Sequence, residues 1–322
     1  MRTSLEERKE QFRIIYEELI NDFRVYKKSL ARSLGVNNRT ASRRLKEAFE
    51  KGYISLPQFR KRSYANFKEY VYFVRCENPL QLFKQYQNDP RIIYHAVITG
   101  FANLWIVSRE EIDVPGEVIA SGVRSDYLVA HPPNCSWDAA MDNMWTLAKS
   151  FDPAQYTPTH SIPTHWDEYL DWWDEEFENL YREFKFNARK KFKPIMKKHC
   201  VSADKIYRLL ENIDTCCSVI IRYFPDSIKA YDPYLFMVET DYEDFIIDLF
   251  SQLPTSAFFF RVSGNLCLYA HVKRSSMRKT GLDMSDISEL HIPMIAEYLL
   301  DRGILKRKVY ALVEYHWHNN LI

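Results

Sequence analysis

The chain repeats itself, and this repetition constrains its fold more than any single motif. YLFMVET at 234–240 echoes YVYFVRC at 70–76, Pro254 echoes Pro90, and Val262-Ser263-Gly264 echoes Ile98-Thr99-Gly100. All three pairs fall at one constant spacing, which chance explains poorly. The helical stretches in front of them repeat too. Residues 192–219 overlay 27–54 without a gap, and Arg208 falls on Arg43. A chain of 322 residues with 46% apolar content can fill more than one packed core. The expectation is therefore an α+β protein in which a two-part unit, helical then mixed, occurs twice.

The helical part is best preserved in its first copy, LARSLGVNNRTASRRLKEAFEKGYI at 30–54. Leu30, Ala31 and Leu34 give one helix an apolar face. Gly35 can adopt the positive φ that ends it, and Val36 plugs the turn from inside. Asn37 or Asn38 can cap a second helix, whose buried face is Ala41, Leu45, Ala48 and Phe49. Its other face carries Asn38, Arg39, Thr40, Ser42, Arg43 and Lys46, and Gly52 stops it. This is the pattern of a winged helix-turn-helix, which places hydrogen-bond donors in a DNA major groove. Arg60, Lys61 and Arg62 sit where a wing would follow the phosphates. Between residues 24 and 68 the only acids are Glu47 and Glu50. Net charge is +1, so the argument rests on where the charge lies and not on its sum.

The mixed part reads as strand (70–76), short helix (79–86), two strands around Thr99-Gly100 (92–98 and 103–108), a loop or reduced helix (110–118) and a last strand (127–130). That order predicts a ferredoxin-like βαββαβ unit. Ser136 caps a further helix, and a Pro-rich stretch at 151–165 follows. In the second copy, 166–184 predicts a packing helix with an acidic outer face. A longer helical stretch at 285–302, starting at Ser285 or at Pro293, precedes a closing strand at 309–317. The expected divisions are a winged helix at 1–67, a βαββαβ unit at 68–150, a linker at 151–165, a degenerate winged helix at 166–230 and a second βαββαβ unit at 231–322. Degeneracy shows in Cys200 for Gly35, Asp204 for Arg39, and Tyr207 and Leu209 for Ser42 and Arg44. An acid facing phosphates repels them.

Six cysteines without a CxxC pair read as small buried hydrophobes in a reducing compartment. No run of about 18 apolar residues suggests a membrane span, so a cytoplasmic protein is expected. His160 and His165 lack a completing ligand set, and His316 and His318 share a face of the last strand. No metal and no cofactor are assigned.

The 30–54 segment, followed by a strand, a short helix and a TG hairpin, resembles the Lrp/AsnC family of feast-famine transcription regulators. The resemblance covers 5–132 and, more weakly, 166–317. It implies a winged helix-turn-helix joined to a βαββαβ regulatory domain, and subunits paired through their sheets as a homodimer on double-stranded DNA. It also implies a small effector bound near the TG hairpin, here at Thr99, Gly100 and Asn103, with Ser263 and Gly264 in the second copy. Asn103 and Cys267 stand where the family usually carries an acid, which argues against an amino-acid effector. The resulting expectation is a sequence-specific DNA-binding regulator and not an enzyme, with an effector-free architectural DNA binder as an alternative. Another alternative is an enzyme branch of the same superfamily, the sirohaem decarboxylases, which use His and Arg near an asparagine-aromatic strand. His95 and Asn103-Leu104-Trp105 match that pattern in part, and the uncharged 96–102 does not.

Overall fold

A computed structural model describes residues 4–159, 161–273 and 291–318, with the side chain of His291 left aside. In the first half the elements run α1 (Leu5–Asn21), α2 (Lys27–Ser33), α3 (Asn38–Glu50), β1 (Gln58–Lys61), β2 (Tyr70–Arg75), α4 (Pro79–Tyr86), β3 (Ile92–Gly100), β4 (Leu104–Ser108), β5 (Glu117–Val123), β6 (Leu128–Val129) and α5 (Trp137–Ser150). The second half runs α6 (Glu175–Phe184), α7 (Phe192–His199), α8 (Ala203–Glu211), α9 (Ile213–Cys216), β7 (Cys217–Ile220), β8 (Tyr231–Glu239), α10 (Glu243–Phe250), β9 (Phe258–Val262), β10 (Asn265–Lys273), α11 (His291–Asp301) and β11 (Arg307–His318). The chain forms two compact units, and each draws on both halves: 1–61 with 171–230, and 62–170 with 231–322.

The first unit is helical. Asn37 caps α3 by accepting a hydrogen bond from the Thr40 amide at 2.9 Å, and Gly35 turns the chain at φ +63°. Phe12, Ile15, Leu19, Leu30, Ala41, Leu45 and Ala48 close its core with Ile221 and Tyr223 from the second half. At Cys200 the left-handed turn persists at φ +54° although glycine is gone, so a side chain is held in a conformation that disfavours it. Two arginines tie the halves together reciprocally. Arg24 donates to the carbonyls of Ala188 and Lys190, and Arg189 donates to those of Phe23 (2.7 Å) and Val25 (3.0 Å). β1 is paired antiparallel with β7, Phe59 opposite Val219.

The second unit is built on one nine-stranded sheet of order β5-β2-β4-β3-β11-β8-β10-β9-β6, whose pairings are all antiparallel. Its ends curl toward one another. Near β5 and β9, the Ser125 amide donates to the Arg261 carbonyl at 3.1 Å, and the Arg261 amide to Ser125 Oγ at 2.7 Å. One face of the sheet turns inward and buries Val71, Phe73, Ala96, Ile98, Trp105, Leu235, Met237, Phe260 and Cys267. On the other face, Tyr72, Val74, Tyr86, Val97, Leu104 and Ile106 form a separate core around α4. The protein is thus a mixed α+β fold with a curled antiparallel sheet.

Local expectations fail in three places. A strand, β5, covers 117–123, of which a loop or reduced helix was expected to reach 118, and it completes one end of the sheet. Expected as a full closing strand, 127–130 contributes only the two-residue β6 beside β9. The 166–184 helix begins only at Glu175, because Asp174 caps it through the Phe177 amide at 2.8 Å. The Pro-rich stretch packs on its unit: Phe151 stacks on Phe245 at 3.8 Å, and the Tyr156 hydroxyl donates to Asp244. Of the expected 285–302 helix, α11 accounts for His291–Asp301, and 285–290 lie outside the described residues.

Candidate functional site

The inward face of the curled sheet gathers aromatic side chains from both halves of the chain. Strand alternation puts Tyr94, Ala96 and Ile98 of β3 on that face, with Trp105 of β4 opposite Ala96. From β10 and β9 come Tyr269, Phe258 and Phe260. The rings form one continuous surface. Trp105 lies 4.9 Å from Tyr94, 6.2 Å from Tyr269 and 6.1 Å from Phe260, to which it is stacked. Tyr269 stacks on Phe258 at 4.7 Å, and Tyr127 meets Phe258 and Phe260 edge-on. Behind Tyr127, at 4.0 Å, sits the Arg124 guanidinium, fully buried and paired with Glu69 at 2.7 Å.

Three imidazoles border this surface. His271, two residues beyond Tyr269 on the same face, is buried 5.3 Å from that ring. His316 and His318 reach the face through an irregularity. Between Val313 and Tyr315 the β11–β3 register shifts, so Val313 stands opposite Ile98 but His316 opposite Ala96 and His318 opposite Tyr94. Without that bulge, alternation from Val309, Ala311 and Val313 would send both histidines to the far side of the sheet. As built, His318 lies 4.7 Å and His316 6.3 Å from the Tyr94 ring, and His316 is exposed. Lys273 follows His271 on the same face of β10 and is exposed.

Trp105 also presents an indole N–H that is buried without a hydrogen-bond acceptor, and only 4% of the residue is exposed. A buried orphan donor is unusual and costs about 1–3 kcal/mol. Chemically the face offers aromatic rings, one indole donor without an acceptor and, at its margin, imidazoles. No group of three or more His, Cys, Asp or Glu side chains among the described residues is arranged to hold a metal. His160 lies outside the described residues.

The effector residues expected around the glycine hairpins are otherwise engaged. A Cβ on Gly100 would overlap the Tyr310 carbonyl oxygen and stand 2.7 Å from Ala311 Cα, so this glycine admits the close approach of strand β11. Thr99 Oγ1 donates to Glu314 at 2.6 Å. Asn103 clamps Cys76, its amide donating to the Cys76 carbonyl at 2.7 Å and its oxygen accepting from the Cys76 amide at 3.0 Å. Ser263 and Gly264, at φ +49° and +79°, form the β9–β10 turn. His95 is displaced from the site as well. It points to the opposite face, fully buried between Phe83 and Trp317, with Nε2 2.8 Å from the Phe83 carbonyl. Burial pushes its pKa down to about 4, so it is neutral.

No protein-family model and no curated protein matches the chain. Two solved structures resemble it along most of its length. The crystal structure of the siroheme decarboxylase NirDL is 14% identical, with a TM-score of 0.48, over 95% of this chain and 91% of that one. NirDL in co-complex with an iron-uroporphyrin III analogue is 13% identical, with a TM-score of 0.46, over 94% and 91%.

The expectation of a DNA-binding, non-enzymatic Lrp/AsnC-type regulator is corrected on these findings: both similar structures are of an enzyme. The protein's own geometry gives a physical reason. Asn38, Arg39, Arg43 and Lys46 are exposed on α3, with Thr40 and Ser42 half-buried beside them. The wing, however, is committed within the protein. β1 pairs with β7, Arg60 donates to the Phe59 carbonyl and Gln58, Lys61 pairs with Glu178, and Arg62 pairs with the buried Asp126. Lys61 and Arg62, each neutralised by a carboxylate, offer little to a phosphate backbone. Among the described residues no helix is long and apolar enough to cross a membrane.

Proposed function

We propose that this chain is an enzyme of the sirohaem-decarboxylase type, acting on a planar macrocycle that bears carboxylates. The observation that carries the reading is the aromatic inward face, bordered by His271, His316 and His318 and holding the unpaired Trp105 indole N–H. A flat conjugated ligand gains from stacking on Tyr94 and Trp105, and its polar edge supplies the acceptor that the indole lacks. Lys273 is suitably placed on the face to attract a carboxylate. The chemistry balances simply. The C–CO₂⁻ bond breaks, its electron pair stays on carbon, CO₂ leaves, and a proton from an imidazolium forms the new C–H bond. His316 and His318, at the open end, can be reprotonated from solvent. His95, neutral and on the other face, has no part in this.

The same reading takes the two halves as copies of one winged-helix plus ferredoxin-like βαββαβ unit. Its support is the constant sequence spacing, the matching strand orders β5-β2-β4-β3 and β11-β8-β10-β9, and the reciprocal arginines Arg24 and Arg189. An absorption titration with iron-uroporphyrin III tests the site. A saturable spectral shift is expected, weakened about tenfold or more in Tyr94→Ala and in a His316→Ala/His318→Ala double variant. No saturable shift, or one indifferent to all three substitutions, would overturn the assignment.

A further inference from the structure

In the first unit the reciprocal arginines Arg24 and Arg189, by reaching the carbonyls of Ala188, Lys190, Phe23 and Val25, bring the starts of α2 and α7 together. The Arg24 guanidinium also lies 4.4 Å from the Phe192 ring, which meets Tyr207 edge-on at 5.3 Å. Around this junction six exposed cations have no ion-pair partner among the described residues: Lys27, Lys28 and Arg32 of α2, Lys191 just before α7, and Lys193 and Lys197 on it. Lys28 and Arg32 stand four residues apart, as do Lys193 and Lys197, so each pair shares one helix face. In the sequence overlay Lys193 and Lys197 fall on Lys28 and Arg32, so the second half keeps this charge although Asp204 has replaced Arg39. The acids beside them are engaged: Asp22 accepts from the Arg24 amide at 2.8 Å, and Glu183 holds Lys190, Lys198 and His199. Tyr26 and Tyr207, 78% and 51% exposed, stand among the cations.

We infer that this surface docks on a bilayer containing anionic phospholipid. Five of the six cations are lysines, strongly hydrated point charges on flexible stems, which suit the diffuse negative potential of a lipid layer. Nucleic acid rewards guanidinium forks, and the two arginines of the junction itself spend theirs on backbone carbonyls. Tyrosine joins an apolar ring to a polar tip and settles at the headgroup level. Charge with two such rings gives reversible contact and no insertion. The surface belongs to the first unit and takes no part in the decarboxylase chemistry.

Co-sedimentation of the full chain with vesicles tests it, phosphatidylcholine alone against equal parts of phosphatidylcholine and phosphatidylglycerol. The chain should sediment with the anionic vesicles only, and less as salt rises, because the charges are exposed. Lys28→Ala/Lys193→Ala removes one cation from each half and should weaken partitioning about tenfold or more at unchanged Tm. Arg32→Ala/Lys197→Ala should do the same independently, so misfolding of one variant leaves the test intact. Equal binding to both vesicle types, binding to neither, or parental binding by the folded variants would overturn the inference. Tighter binding of an oligonucleotide than of the vesicles, through the same residues, would overturn it too and give the surface to nucleic acid.

Discussion

Replacing His95 by glutamine should remove a defined piece of the protein's acid sensitivity. The imidazole is fully buried, and its pKa falls from 6.5 to about 4 because burial penalises the charged form more than the Phe83 carbonyl favours it. The folded state therefore refuses a proton that the unfolded chain accepts, so the contribution is complete above pH 6.5. It drains away as the pH falls through the interval to about 4 and levels off below that. At 1.36 kcal/mol per unit the full interval amounts to about 3 kcal/mol. Urea denaturation at pH 7.5 and pH 4.5 reads most of it. The parent should lose about 2–3 kcal/mol more between those two values than His95→Gln does. Glutamine can still donate to the Phe83 carbonyl, so the comparison isolates the titration. Parallel losses in the two proteins would refute the reasoning.

Three further substitutions follow from the geometry, each checked by denaturant or thermal unfolding. Gly100→Ala, whose Cβ would overlap the Tyr310 carbonyl, should destabilise the second unit by about 2–4 kcal/mol by prising β3 from β11; a neutral result would mean that the strands can part cheaply. Cys200→Gly should stabilise by about 0.5–1 kcal/mol, since it relieves a side chain held at φ +54°, and a loss of stability would contradict the strain. Arg124→Met should cost about 3–5 kcal/mol by leaving the Glu69 carboxylate buried without its partner. It should also loosen Tyr127 at the site, visible as changed near-ultraviolet dichroism. An unchanged spectrum would separate that arginine from the site.

Much of the local structure could be read directly from residues. Asn37 caps a helix because its short side chain reaches the Thr40 amide, Gly35 turns where positive φ is needed, and the strands at 70–75 and 234–239 carry β-branched and aromatic runs. Long-range pairing was not legible. That β1 joins β7, and so engages the basic residues around it, depends on a partner about 160 residues away. The basic run at 60–62 looks the same whether its charges face phosphate or Glu178 and Asp126. The site was hidden for a related reason. His316 and His318 could be seen to share a strand face, but only the bulge between Val313 and Tyr315 turns that face toward Tyr94 and Trp105. Neither the bulge nor the inward curl of the sheet leaves a local signal. His95 attracted notice through its neighbours in sequence and proved to lie on the wrong face, as strand alternation allows for any adjacent residue.

Mass spectrometry of sirohaem incubated with the purified protein measures the central claim most directly. The account predicts a product lighter by the loss of CO₂, formed by the parent and strongly reduced in the His316→Ala/His318→Ala variant, with both proteins folded to the same extent. Unchanged sirohaem after incubation with the folded parent, or equal conversion by the double variant, would contradict it.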